Sequence, residues 1–494
     1  MKRFLFFIGL LFITFSLSAH PELEPLFLPE AVLADPAAVS LSADEVFQLS
    51  LLFSECSLES QTAKRCLEKF EKIKIAVTSA DFMAQPPEER GRAVLKLLYR
   101  DYLKAYSLNQ TKTDVALETG LYNCVSSALL YMAAAKACGL DVRGQKTTEH
   151  AFCSIYVPSV KPGQLKKIDV ETTNPYGFNP GSRETIENEE NIQKYYVVPK
   201  KYYSNRREVG DRVFTGLIAG NICAECIKKG DYERAVPLGA ARYQLVQAVA
   251  ASENQKVISD VRQEFDILSA NYVNLKPESA AAFVGILDWF TAFIDRWGMT
   301  SFLQKNMDTA FINLLVLCFQ EKNHKLAVSV YDKYDNYLTK KQGTKAEEIM
   351  ADIIVSSSIS VVPDSQREQQ LEILNQMLIS ENYQSVAVQN RAQLYLESIW
   401  LTILNDYMNQ KEYQTGLKKS DEALKSLPKS AKIKNMRQYF YNNSIAIIHN
   451  NFAKQANAQN FDEAVQILTE GLDLFPGDKT LSKDLSDIKK LLGQ

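Results

Sequence analysis

Apolar and polar residues alternate along this chain with two different periods, and the change of period marks its parts. Ser42 to Val77 reads as helical, opened by the capping-box pattern Ser42-Ala-Asp-Glu45 ahead of an apolar run. Glu88 to Tyr106 has helical spacing, with Val94, Leu95, Leu98, Tyr102 and Leu103 on roughly one face. A run rich in Ala, Leu and Met follows Cys124 and stops at Gly139, a residue suited to the position after a helix. The period then drops to two: Ala151 to Val157 and Lys167 to Val170 read as strands. From about Asp211 helical spacing returns and glycine becomes rare. His20 to Val39, rich in Pro and Ala, reads as an extended lead-in.

Chemistry enters at the helix that begins with Cys124. Unpaired N–H groups at a helix N-terminus favour a thiolate, and an imidazole in reach can take the thiol proton. A carboxylate behind the ring fixes its tautomer and supports its charge. The chain has only four His, and His150, at the start of the first strand-like run, is the one placed to serve Cys124. Asp169 lies in the next strand-like run. Spacing by itself leaves two readings open: a nucleophile with its base and orienting acid, or a buried structural thiol.

The residues around these three resemble the transglutaminase-like superfamily. Y-N-C-V-S-S-A-L-L-Y is similar to the family's Cys helix, C-G-L-D-V-R-G to the turn that leaves it, E-H-A-F-C-S-I-Y-V to its His strand and K-K-I-D-V-E-T-T to its Asp strand. The likeness spans roughly Ala93 to Tyr203. It implies a papain-like core, a Cys helix packed on an antiparallel sheet. It also implies Cys124 as nucleophile, His150 as base and Asp169 as orienting acid. Many members have an aromatic residue and a Gly before the Cys, where this chain has Tyr122 and Asn123. No oxyanion donor is thereby assigned beyond the Cys124 N–H. The turn-rich V-E-T-T-N-P-Y-G-F-N-P-G offers Asn174, Tyr176 and Phe178 either as substrate contacts lining a groove or as parts of a plain turn. Glu184 to Glu190 reads as a solvated helix face, and Y-Y-V-V-P with K-Y-Y as a closing strand.

Two stretches of the tail resemble tetratricopeptide repeats. Gly416 and Ala423 precede Pro428, and Ala464 and Gly471 precede Pro476 at the same offsets. Small residues at those places let neighbouring helices approach. Weaker echoes run from Lys228 to Val236 and Glu321 to Val328, and Leu481 to Leu492 reads as a capping helix. Such an array leaves a concave surface for a protein or peptide. Trp289, Trp297 and Trp400 read as core residues.

The expected fold is therefore α+β: N-terminal helices and a papain-like core, then an all-α solenoid. Its parts are a signal peptide at 1–19, a lead-in and helical segment at 20–92, a transglutaminase-like domain at 93–205 and helical repeats at 211–494. Met1 to Ala19 has the positive start, apolar middle and small-residue end of a secretory signal. The chain is thus expected to be exported, periplasmic or secreted, with an uncleaved membrane anchor as the alternative. Net charge of −3 and the lack of a Lys/Arg block argue against a nucleic-acid partner. Export permits disulfides, and Cys56 with Cys66 are placed to bridge a helix–helix turn. Cys223 and Cys226 form C-A-E-C inside a helical pattern without the partners of a zinc or redox site, so no metal and no cofactor is expected. Three readings compete. One is a thiol enzyme acting on amide bonds of proteins or peptides, with hydrolysis favoured over acyl transfer and repeats that bind a protein. The second is an inactive transglutaminase-like scaffold of the cell envelope, and the third a purely structural protein.

Overall fold

The computed structural model describes residues 20–180, 205–380 and 385–493. The signal-like segment 1–19, the acidic run Glu184–Glu190 and the expected closing strand at Tyr195 to Tyr203 fall outside them. The chain divides into two compact units, Met1–Lys276 with Gly285–Asn306, and Pro277–Val284 with Met307–Gln494.

The first unit is built around one buried helix. Helices α1 (Ala43–Phe53), α2 (Gln61–Val77), α3 (Ala80–Met83), α4 (Pro87–Asp101) and α5 (Thr113–Thr119) precede α6 (Cys124–Ala137). Ser42 caps α1 with the reciprocal Glu45 bond that the sequence pattern foretells. Every residue of α6 from Val125 to Ala135 is buried. A helix apolar on all sides can sit only inside a core, and α1, α2, α4 and α5 enclose it together with the sheet. Each large side chain so covered, such as Leu129, Leu130 or Met132, contributes about 1.5–3 kcal/mol. The helix ends where Gly139 takes φ +74°, a conformation that costs a residue with a Cβ.

Two short parallel strands, β1 (Ala105–Tyr106) and β2 (Leu121–Tyr122), lead into α6. The main sheet contains β3 (Asp141–Lys146), β4 (Ala151–Pro158), β5 (Leu165–Val170) and β6 (Arg207–Val209), in the order β5-β4-β3-β6 and antiparallel throughout. Cys153, Ile155 and Val157 of β4 are buried, and the Cys153 thiol donates to the Ala128 carbonyl of α6 at 3.4 Å. Lys146 pairs with Ala151, so residues 147–150 form the hairpin connection. His150 is held there, with Thr147 N–H donating to its carbonyl at 2.8 Å.

The expected boundary at Asp211 is not where the compact units part. Asp211 ion-pairs Lys136 of α6 at 2.8 Å and accepts the Leu41 N–H at 2.8 Å. Arg212, almost fully buried, donates to the Asp35 and Ala38 carbonyls. Phe214 lies against Gly144 of β3, where a Cβ would come within 2.4 Å of its ring. The helices from Asp211 to Val273 therefore complete the first unit. The lead-in is tied down as well: the Trp289 indole donates to the Pro21 carbonyl at 2.6 Å, and Leu26 N–H to the Pro237 carbonyl at 2.9 Å. Sequence composition does not reveal such tethers, because their bonds are to backbone.

The second unit is helical and solenoid-like. Successive antiparallel helices, Val386–Gln410, Tyr413–Ser426, Ala431–Asn457, Phe461–Leu474 and Lys479–Leu491, pack each on the next. The small residues mark the close approaches. A Cβ on Gly416 would stand 2.4 Å from the Phe440 ring, and one on Gly471 2.7 Å from Ile448. Ala423 and Ala464 are fully buried. Pro428 and Pro476 each lie two residues beyond a helix end. Gly416→Val is expected to destabilise this unit by about 1–3 kcal/mol, the cost of overpacking, despite valine's better helix propensity. Urea denaturation followed by far-UV circular dichroism measures it, and an unchanged midpoint would contradict the close packing. No helix among the described residues is long and apolar enough to cross a membrane.

Candidate active site

Asn123 sets the start of α6. Its side-chain oxygen accepts the Val125 and Ser126 N–H groups at 2.9 and 3.1 Å, and the Ser126 hydroxyl accepts the Asn123 N–H at 3.0 Å. This capping box places Cys124 at the first helical position and leaves the Cys124 N–H outside the cap. The two residues before Cys124 thus have local work: Asn123 caps, and Tyr122 is a buried ring packed edge-on against Tyr99 and Tyr106.

Cys124 and His150 are brought together. Both line one cleft, and Cys124 acts on the ring in a way that favours its charged form. The ring meets not Asp169 but Glu171, with Nε2 2.7 Å from Oε2. The His150 and Glu171 side chains are almost fully buried, at 2% and 7% exposure, which strengthens their attraction over that of a surface pair. Burial works to lower the pKa of His150, but Cys124 and Glu171 outweigh it and raise it from 6.5 to about 10.

Asp169, expected as the orienting acid, is occupied elsewhere. Its carboxylate accepts two bonds from Arg206, at 2.6 and 2.9 Å, and one from Ser154 Oγ at 2.7 Å. Burial would raise this carboxyl, yet Arg206 and Ser154 hold it below the usual range. Register explains the substitution. Asp169 pairs with Ser154, four residues along β4 from His150. Glu171 lies beyond the end of β5, nearer the level of His150, and a strand's period of two gives both carboxylates the same facing. The D-V-E spacing was the available signal; pattern alone cannot choose between its ends.

Asn174, Tyr176 and Phe178 do not line the cleft at Cys124. Asn174 Oδ1 accepts the Tyr176 N–H at 2.9 Å, shaping a turn. Phe178 is buried beneath the Arg92 guanidinium. All three serve the turn that follows Glu171. The cleft itself, about 600 Å³, is walled by Leu108–Lys112, by the 147–150 connection and by the helix Leu217–Lys229. That last wall comes from the part of the chain read as repeats.

The remaining thiols are structural. All eight cysteines are free, so Cys56 and Cys66 do not form the expected bridge. Cys56 lies 3.5 Å from Ser60 Oγ, and Cys66 points to the Asp114 carbonyl. Cys124 alone is not buried. Burial pushes Cys66 and Cys223 up to about 12, and Cys138 and Cys318 to about 11.

The raised pKa of His150 makes stability depend on pH. A group whose folded-state pKa exceeds its unfolded value contributes fully below the unfolded pKa, near 6.5, and loses that contribution as pH rises through about 10. Denaturation midpoints between pH 6 and pH 10 are expected to fall more steeply for the native chain than for His150→Gln. Parallel curves would contradict the buried His150–Glu171 contact.

No family model matches the chain, and no curated protein matches it. Among solved structures it is similar to menin, whose crystal structure reveals the binding site for the Mixed Lineage Leukemia protein. That similarity has 12% identity and a TM-score of 0.33, over 86% of this chain and 93% of that chain.

Proposed function

We propose that this chain is a transglutaminase-like thiol enzyme acting on amide bonds of proteins or peptides, with Cys124 as nucleophile, His150 as base and Glu171 as orienting acid. The observation that carries this reading is the buried His150 ring, bonded to Glu171 at 2.7 Å and sharing one cleft with Cys124. The packing of α6 on an antiparallel sheet supports a papain-like core.

The chemistry follows in order. His150 takes the thiol proton, and the sulfur attacks the carbonyl carbon as its π electrons move to oxygen. The Cys124 N–H, first at the helix N-terminus, faces the charge that develops there. His150 then gives its proton to the leaving amine as the C–N bond breaks, and a thioester remains. Water, deprotonated by His150, attacks the thioester; the C–S bond breaks, and acid and thiol are released. An amine in place of water gives acyl transfer, and hydrolysis is the favoured outcome. Glu171 supports the imidazolium throughout. The solenoid-like unit would bind a protein partner, and the leader-like start of the chain supports export.

The test uses a haloacetamide probe and peptide mapping. Cys124 is expected to label first among the eight thiols at neutral pH, and His150→Gln to slow that labelling by an order of magnitude or more. Equal labelling in the two proteins would remove the enzyme reading.

A further inference from the structure

We propose that Thr173 is a positioning residue, which selects the oxygen of Glu171 that meets His150. The inference rests on the Cys124–His150–Glu171 reading and deepens it. Glu171 Oε1 accepts two bonds from the one residue: Thr173 N–H at 3.1 Å and Thr173 Oγ1 at 2.7 Å. Oε2 faces the His150 ring at 2.7 Å.

A glutamate in this place needs such a clamp. Its side chain has one more rotatable bond than aspartate, so more rotamer freedom is lost in holding its carboxylate in one place. The clamp is itself tied to the Cys helix. Thr172 Oγ1 lies 3.1 Å from Ser127 Oγ of α6. Tyr99 donates to the Thr172 carbonyl at 2.9 Å, and Tyr122 to the Thr173 carbonyl at 3.4 Å. Glu171 N–H donates to the Gly177 carbonyl at 2.8 Å, and a Cβ on Gly177 would come within 2.0 Å of the Glu171 carbonyl oxygen. Thr172 and Thr173 are fully buried. The turn carrying the acid and the helix carrying the nucleophile are therefore stitched together, and the Thr173 hydroxyl is the tie that ends on the carboxylate.

Thr173→Val keeps the shape and the backbone N–H and deletes the hydroxyl bond; Thr173→Ser keeps the hydroxyl and deletes the methyl. Two readouts apply to the full chain: the rate of haloacetamide labelling at Cys124, and the downfield imidazole N–H proton resonance of His150, assigned by its loss in His150→Gln. Thr173→Val is expected to slow labelling about 10-fold, as befits the loss of a hydrogen bond to a charged group. It should also shift the His150 resonance upfield. Thr173→Ser should keep both near the native values. If Thr173→Val leaves both unchanged while His150→Gln still slows labelling, the positioning role is overturned and the enzyme reading stands. If Thr173→Ser behaves like Thr173→Val, methyl packing is the cause and the positioning role again falls. Native Cys124 no more reactive than in His150→Gln would overturn both.

Discussion

If the proposed chemistry holds, Glu171→Gln is expected to lower turnover by about 10²–10⁴-fold, and Asp169→Asn to leave it little changed. The magnitude is that of replacing the acid behind a catalytic imidazole with its amide, which keeps the geometry and loses the charge. The amide can still meet Nε2, but nothing then offsets the positive charge on His150 when it holds the thiol proton. The effect is large because the His150 and Glu171 side chains are almost fully buried, so solvent screens little of their interaction. Asp169 is half-buried, bonds Arg206 and Ser154, and has no bond to His150. Removing its charge weakens a partly exposed ion pair worth about 0–1 kcal/mol. The paired measurement is turnover of a peptide amide, or Cys124 labelling where no substrate is in hand, with melting temperature as the control. A loss with Asp169→Asn and none with Glu171→Gln would return the acid's role to Asp169.

Cys124→Ala is expected to abolish turnover, by about 10³-fold or more, and to keep the fold. A nucleophile has no substitute in its own step, so its deletion costs as much as deleting the whole triad. The fold tolerates the change because Cys124 is the single thiol not buried, and Asn123 supplies the helix cap from outside it. The predicted signature is the loss of any mass adduct on α6 after incubation with a peptide ester, while the far-UV spectrum and melting temperature stay native. Turnover that survives without this sulfur would end the thiol mechanism.

Local pattern was sufficient for much of this molecule. The capping box at Ser42, the amphipathic run containing Val94, Leu95 and Leu98, the helix that starts at Cys124 and the strands after His150 are each set by spacing within about 20 residues. Gly416 with Phe440, and Gly471 with Ile448, show why small residues recur in the tail. Scarcity singled out His150, since four His leave few choices, and the structure puts it on the same cleft as Cys124.

Other features depended on distance in sequence. The Asp211 boundary reads as a change of texture, yet Lys136, Leu41 and Gly144 receive the helices beyond it. Cys56 and Cys66 sit close along the chain, and their side chains turn to Ser60 and Asp114 instead of each other.

The sequence by itself determined where helices and strands start and which thiol stands at a helix N-terminus, because these depend on neighbours a few residues apart. Only the tertiary structure decided which carboxylate backs that imidazole and which helix walls the cleft. The strand period of two presents Asp169 and Glu171 alike, and the choice between them is made by register against β4 and by a turn bonded to Tyr99, Tyr122 and Ser127. Tyr99, Tyr122 and Ser127 lie 73, 51 and 45 residues from their partners in that turn, beyond the reach of any local pattern.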